Sequence, residues 1–184
     1  MELINTYTHL IPFILFAAKF LVYIKEKKYI LALYGGSLLI CYGTSSIYHY
    51  NNFINHYSKT LNKLDHTGIY VLLAGSYFTV CWPQHRKILE QVLTLSLFFS
   101  ILLWVVELPA TIKVLTYMSI GWFGIRSLNH PKLIVGGLFY TAGGIIYSIN
   151  YDYHWIFHIF VFWGSLCHLS HFEETDCHTA IAAA

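Results

Sequence analysis

Apolar runs of about 17–22 residues recur along this chain of 184 residues, and that is the length at which an α-helix crosses a bilayer. The repetition constrains the fold more than any other feature. Hydrophobic side chains make up 57% and charged ones 11%, with a mean hydropathy of +0.54. Soluble domains carry about 25% charge, and one of this size has no core large enough to bury so much apolar surface. A membrane β-barrel needs strands of about 10 residues with period-two alternation, and no such pattern is present. The expected class is an all-α integral membrane protein built as a seven-transmembrane-helix bundle.

The runs are about Thr8–Ile24, Tyr29–Tyr48, Leu64–Trp82, Ile88–Val106, Thr111–Ile125, Leu133–Ile149 and His154–Phe172. Lys25, Lys27 and Lys28 close the first, and Pro83 to Lys87 close the third. Residues 1–172 therefore form one membrane domain with short loops, and residues 173–184 form a polar, then Ala-rich, C-terminal tail. Glu2 without a preceding Lys or Arg, and Lys19 inside the first run, argue against a cleavable signal. The net charge is +2 and no block of like charge occurs, so nucleic acid is not an expected partner. Cys41, Cys81, Cys167 and Cys177 show no paired spacing, so neither a disulfide framework nor a zinc ribbon is expected. The side holding the N-terminus carries Lys59, Lys63 and Lys113. The other side carries Lys25, Lys27, Lys28, Arg86, Lys87, Arg126 and Lys132. Basic residues favour the cytoplasm, which points to an external N-terminus and leaves the orientation open against the resemblance described below.

Eleven histidines are the unusual count. Ionisable groups inside spans are costly and mark functional sites. Ser45 and His49 end the second run, Asp65 opens the third, and His154 and His158 open the seventh. By the parity of seven crossings these three ends share the N-terminal side. Each i, i+4 pair lies on one helix face. His154 and His158 can bind one metal ion, His49 can add a third nitrogen, and water can take the fourth position of an open catalytic zinc site. Asp65 could accept a proton from that water, and Ser45 could hydrogen-bond the water or a substrate oxygen. The competing reading is that these histidines pack or line an interface.

Other polar residues fit simpler roles. His9 opens the first run on the same side, and an interfacial place is expected for it. His66 points about 100° away from Asp65. His168 and His171 are expected to pack, and His56, His85, His130 and His178 to lie in loops or the tail. Glu107 and Lys113 are expected at the interface, by snorkelling.

The order of motifs resembles the hemolysin III family of the progestin and adipoQ receptor superfamily. Glu2-Leu3-Ile4-Asn5 with Thr8-His9 is similar to the Glu-x-x-Asn-x-x-Thr-His opening of bacterial members. Ser45 to His49 matches Ser-x-x-x-His, Lys63 to Tyr70 resembles the Asp-containing motif, and His154 to His158 matches His-x-x-x-His. Gly121-Trp122 and Gly137 to Gly143 also resemble family positions. The resemblance spans about residues 2–172. It implies a Zn2+ cofactor held by His49, His154 and His158, with Asp65 and Ser45 touching the zinc-bound water. The superfamily is related to alkaline ceramidases, which implies a zinc-dependent hydrolase of a lipid amide, with a ceramide-like membrane lipid as substrate. It also implies a bacterial inner (plasma) membrane location.

Two departures bear on the reading. The long soluble N-terminal region of receptor members is not expected here, and the charge asymmetry is the reverse of theirs. The alternatives are a membrane receptor or sensor with a structural zinc, and a membrane-lytic hemolysin. No amphipathic insertion hairpin supports the lytic alternative. Three imidazoles would also accept other divalent ions, copper most strongly.

Overall fold

A computed structural model describes residues 1–124 and 128–182. Among them are seven α-helices, a short 3-10 turn at Tyr151–Tyr153 and no strand. The helices are α1 (Glu2–Lys25), α2 (Tyr29–Ile54), α3 (Lys59–Cys81), α4 (Arg86–Val105), α5 (Ala110–Trp122), α6 (Pro131–Ile149) and α7 (His154–Ala182). The expected all-α seven-helix bundle is the fold. Helices α1, α2, α4 and α6 are long and apolar enough to cross a membrane. Helix α5, with 13 residues, reaches only about 20 Å.

Hydropathy marks the apolar part of each helix but not its ends. Helix α1 starts at Glu2 rather than Thr8, α2 continues to Ile54, and α3 starts at Lys59. Helical hydrogen bonding runs on through polar residues wherever their side chains find partners. Ser58 caps α3 by accepting from the Leu61 amide, and Pro131 occupies the first turn of α6, where a missing N–H costs nothing. The expected tail is helical: α7 passes Phe172 and runs to Ala182. Glu173 accepts from Lys19 at 2.7 Å and from Tyr23 at 2.5 Å. Lys132 bonds Ser170 and Glu174, and Lys28 lies 3.6 Å from Asp176. These contacts moor the last turns of α7 to α1, to the α1–α2 turn and to the start of α6. Ile125, Arg126, Ala183 and Ala184, and the side chains of Cys177 and His178, lie outside the described residues.

Consecutive helices pack as antiparallel neighbours from α1 to α4, and again as α6 with α7. Contact of α7 with α1 closes the ring. Helix α5 sits between α3 and α6, and α4 lies outside against α3 and α5. The polarity is inverted relative to a protein in water. Ile14, Leu21, Leu97, Ile101 and Val105 face outward, whereas Asn5, His9, Ser45, His49, Asp65 and His158 are buried. Lipid tails are as apolar as leucine, so side-chain hydrogen bonds and close packing hold membrane helices together. Ser165 on α7 receives both: its hydroxyl meets those of Tyr42 and Tyr140 at 3.0 Å, and its carbonyl accepts from Tyr34 at 3.2 Å.

Close approach of α6 and α7 rests on Gly136 and Gly164. A Cβ on Gly136 would come within 2.4 Å of the His168 ring and 3.0 Å of the Gly164 carbonyl. Gly136→Val should therefore force the two helices apart. Overpacking of this kind costs about 1–3 kcal/mol, and a lowered melting temperature in detergent, with helical content retained below the transition, is the expected result.

Candidate metal centre

The ends of α2, α3 and α7 named above converge, and the first turns of α1 join them. His49, His154 and His158 are all buried, and one ring nitrogen of each lies within 4.8 Å of the others. His154 is the first residue of α7, directly after the 3-10 turn, so the i, i+4 pair faces inward from its opening turn. His49 lies on α2 five residues before the helix ends at Ile54, deeper than the hydropathy boundary implied.

Two of the rings are oriented from behind. The Nδ1 of His49 lies 2.6 Å from a Glu2 carboxylate oxygen. A carboxylate only accepts, so Nδ1 carries the proton and donates. The Nδ1 of His158 lies 2.9 Å from Thr8 Oγ1. The Thr8 hydroxyl has the carbonyls of Ile4 and Asn5 as acceptors for its one proton, at 3.0 and 2.9 Å. Its oxygen is left to accept, so His158 also holds its proton on Nδ1. Both rings then turn Nε2 inward, the atom that offers a lone pair in the neutral ring, and both Nε2 atoms are buried without a hydrogen-bond partner. Histidines that bind metals usually donate their other N–H to a carboxylate or neutral oxygen. The donor set therefore fits a divalent ion of the zinc type. Zinc–nitrogen bonds of about 2.0–2.1 Å place tetrahedral ligands about 3.4 Å apart, so the rings would draw inward on binding.

Asp65 on α3 and Ser45 on α2 are buried and share a wall of one cavity with His154 and His158. The Asp65 carboxylate lies within electrostatic reach of His49 and Lys113. The cavity and the open space at its mouth together span about 1310 Å³. Along α3 its lining runs from Asp65 to Val80, which is about 22 Å of helix. Between the ends its wall is mainly apolar, from residues such as Leu72, Met118, Phe157 and Val161. Helix α4 adds nothing to the lining.

His9 departs from its expected interfacial place. It is 3% exposed, stacks on His158 with ring centroids 3.7 Å apart, and lines the cavity. Helix α1 begins early enough to turn Glu2, Asn5 and His9 to one inward face, and that i, i+3, i+7 spacing was the available signal. Lys113, also expected at the interface, is half-buried and its charge reaches Asp65. His66 is buried, lines the same cavity and holds Nδ1 3.0 Å from the Tyr117 hydroxyl. His168 packs at the far end of the cavity, 3.2 Å from the Leu133 carbonyl, and His171 stacks on His130. Glu107 is exposed and paired with Lys59. Cys41, Cys81 and Cys167 are free thiols.

Fold and site together define a helical membrane protein with a three-histidine centre sunk into one end of the bundle. The Haemolysin-III related family matches residues 1–169, and the chain belongs to that family and is a multi-pass membrane protein. Hemolysin-3 of Bacillus cereus is 28% identical over 153 residues, covering 72% of this chain and 68% of that protein.

The bonds behind the rings give a direct prediction. Loss of such partners typically costs 10–100-fold in metal affinity. Glu2→Gln and Thr8→Val should each weaken zinc binding by about that factor, measured by competition with a chromophoric chelator. His158→Ala should abolish stoichiometric binding.

Proposed function

We propose that this protein is a zinc-dependent hydrolase of a lipid amide in a bacterial plasma membrane. The observation that carries the reading is the pair of inward, unpartnered Nε2 atoms on His49 and His158, backed by Glu2 and Thr8, beside His154 and a buried carboxylate. A merely structural cluster needs no open cavity, but this one opens into an apolar cavity about 22 Å long. A single leaflet's hydrocarbon depth is about 15 Å, so one acyl chain fits along it.

Zinc bound by the three imidazoles would lower the pKa of a coordinated water and polarise a carbonyl oxygen. The protein's own groups do the rest. The apolar wall takes the acyl chain and holds the scissile carbonyl beside the histidines, and it excludes bulk water. The Asp65 carboxylate takes a proton from the attacking water and passes it to the leaving nitrogen. Burial keeps it from competing solvent, and the charge of Lys113 offsets part of the cost of an anionic carboxylate there. The Ser45 hydroxyl donates to the oxygen on which negative charge develops. Such positioned donors are worth about 10²–10³ in rate elsewhere.

Turnover of N-acyl amide lipids in detergent or vesicles tests the reading, with metal content measured on the same samples. Asp65→Ala should abolish hydrolysis while leaving about one zinc per chain, a ratio expected for a single three-histidine site. Undiminished hydrolysis by that variant would remove Asp65 from the mechanism. Metal-replete wild-type protein with no turnover would leave the structural-zinc alternative. Acidification should release the metal, because protons and zinc compete for the same lone pairs.

A further inference from the structure

The end of the bundle opposite the metal centre carries a second pair of histidines. His130 directly precedes α6, and His171 lies on α7 beyond the cavity-lining His168. Their rings stack with centroids 3.9 Å apart and planes 26° from parallel. Both residues are half-buried, so protons can reach them from that side. His130 also caps α6. Pro131 has no N–H, which makes the Lys132 amide the first free donor of the helix. That amide donates to His130 Nδ1 at 3.4 Å. A ring nitrogen that accepts must hold a lone pair, so this cap exists only while His130 is neutral.

The first turn of α6 is joined to α7 by the stack, by Lys132 on Ser170 and Glu174, and by the Leu133 carbonyl on the His168 ring. Leu133, His168 and Phe172 line the far end of the cavity. Protonation of His130 would turn Nδ1 into a donor and release the Lys132 amide. It would also put a positive charge at a helix N-terminus, where the macrodipole is itself positive. Once His171 is charged as well, two cations face each other across the stack. Among the described residues, the charged or titratable groups facing the pair are Lys132 on α6 and Glu174 and His168 on α7. Glu174 is the one carboxylate of these, and Lys132 already holds it.

We infer that the His130–His171 stack is an acid-sensitive latch, whose protonation frees the first turn of α6 from α7 and loosens the wall at the far end of the cavity. Histidine changes charge over about pH 5–8, and the acidity sensed is that of the side away from the metal centre. The inference does not depend on the hydrolase reading, because the stack lies at the opposite end from the three-histidine centre.

Hydrogen exchange followed by mass spectrometry on the full protein in detergent tests it, at about pH 7.5 and about pH 5.5. Rates are corrected for the intrinsic pH dependence of exchange. The amides of residues 134–137 bond back to the start of α6 and report its opening. Residues 91–105 of α4 hold no ionisable side chain and serve as the internal reference. In the wild type, protection of residues 134–137 should fall by about tenfold at the lower pH, with α4 unchanged. His130→Asn caps through a neutral oxygen that does not titrate, and should keep its protection at both pH values. His171→Phe leaves a flat partner that cannot charge, and should lose less than the wild type. Zinc content is measured on the same samples. Acid acts on the metal in all three proteins, so its effect cancels in the comparison. The latch is overturned if wild-type protection does not fall, if either variant loses as much as the wild type, or if α4 loses protection to the same extent.

Discussion

The arrangement depends on the Glu2 carboxylate behind the His49 ring. In a bilayer the solvent offers no hydrogen bonds, so a polar group drawn into the bundle must find its partner in the protein. Glu2 pairs with a fully buried imidazole, and in doing so it fixes which nitrogen of that imidazole faces inward. Thr8 does the same for His158, one helical face further along α1. The bundle is therefore organised around a polar centre whose outer bonds are made by the first two turns of the chain. Docking α1 against both α2 and α7 closes the ring.

The polar centre also explains which helices are least apolar. Helices α1, α2, α4 and α6 meet the length and hydropathy expected of a span, whereas α3 and α7 carry Asp65, His66, His154 and His158. Those residues lower hydropathy where the cavity runs. Helix α4 lines no part of the cavity and presents Leu97, Ile101 and Val105 to the outside. In α1 and α2 the two roles fall on opposite faces instead: Asn5, His9, Ser45 and His49 are buried, while Ile14, Leu21, Ile40 and Ile47 face outward.

Opposite ends of the bundle are held by different chemistry. At the histidine end, buried imidazoles are oriented by short hydrogen bonds to Glu2 and Thr8. At the other end, exposed or half-exposed charges join Lys19, Lys28 and Lys132 to the last turns of α7. Pairs exposed to water contribute little individually, about 0–1 kcal/mol. Their number, with the Tyr23 bond to Glu173, extends α7 well beyond its apolar stretch. Hydropathy alone reads that segment as a tail.

The sequence by itself determined the seven-helix class, the shared side of Ser45, His49, Asp65, His154 and His158, and the pairing of histidines one turn apart. Those follow from span length, crossing parity and helical periodicity, which are local properties of the chain. Only the tertiary structure decided that α1 starts at Glu2, that Glu2 and Thr8 orient His49 and His158, and that His9 is buried against His158. Those contacts join residues about 50 to 150 positions apart, a separation that no local periodicity encodes. The cavity is likewise a tertiary result, because it is the space left when helices of fixed shape close into a ring around side chains too few to fill it.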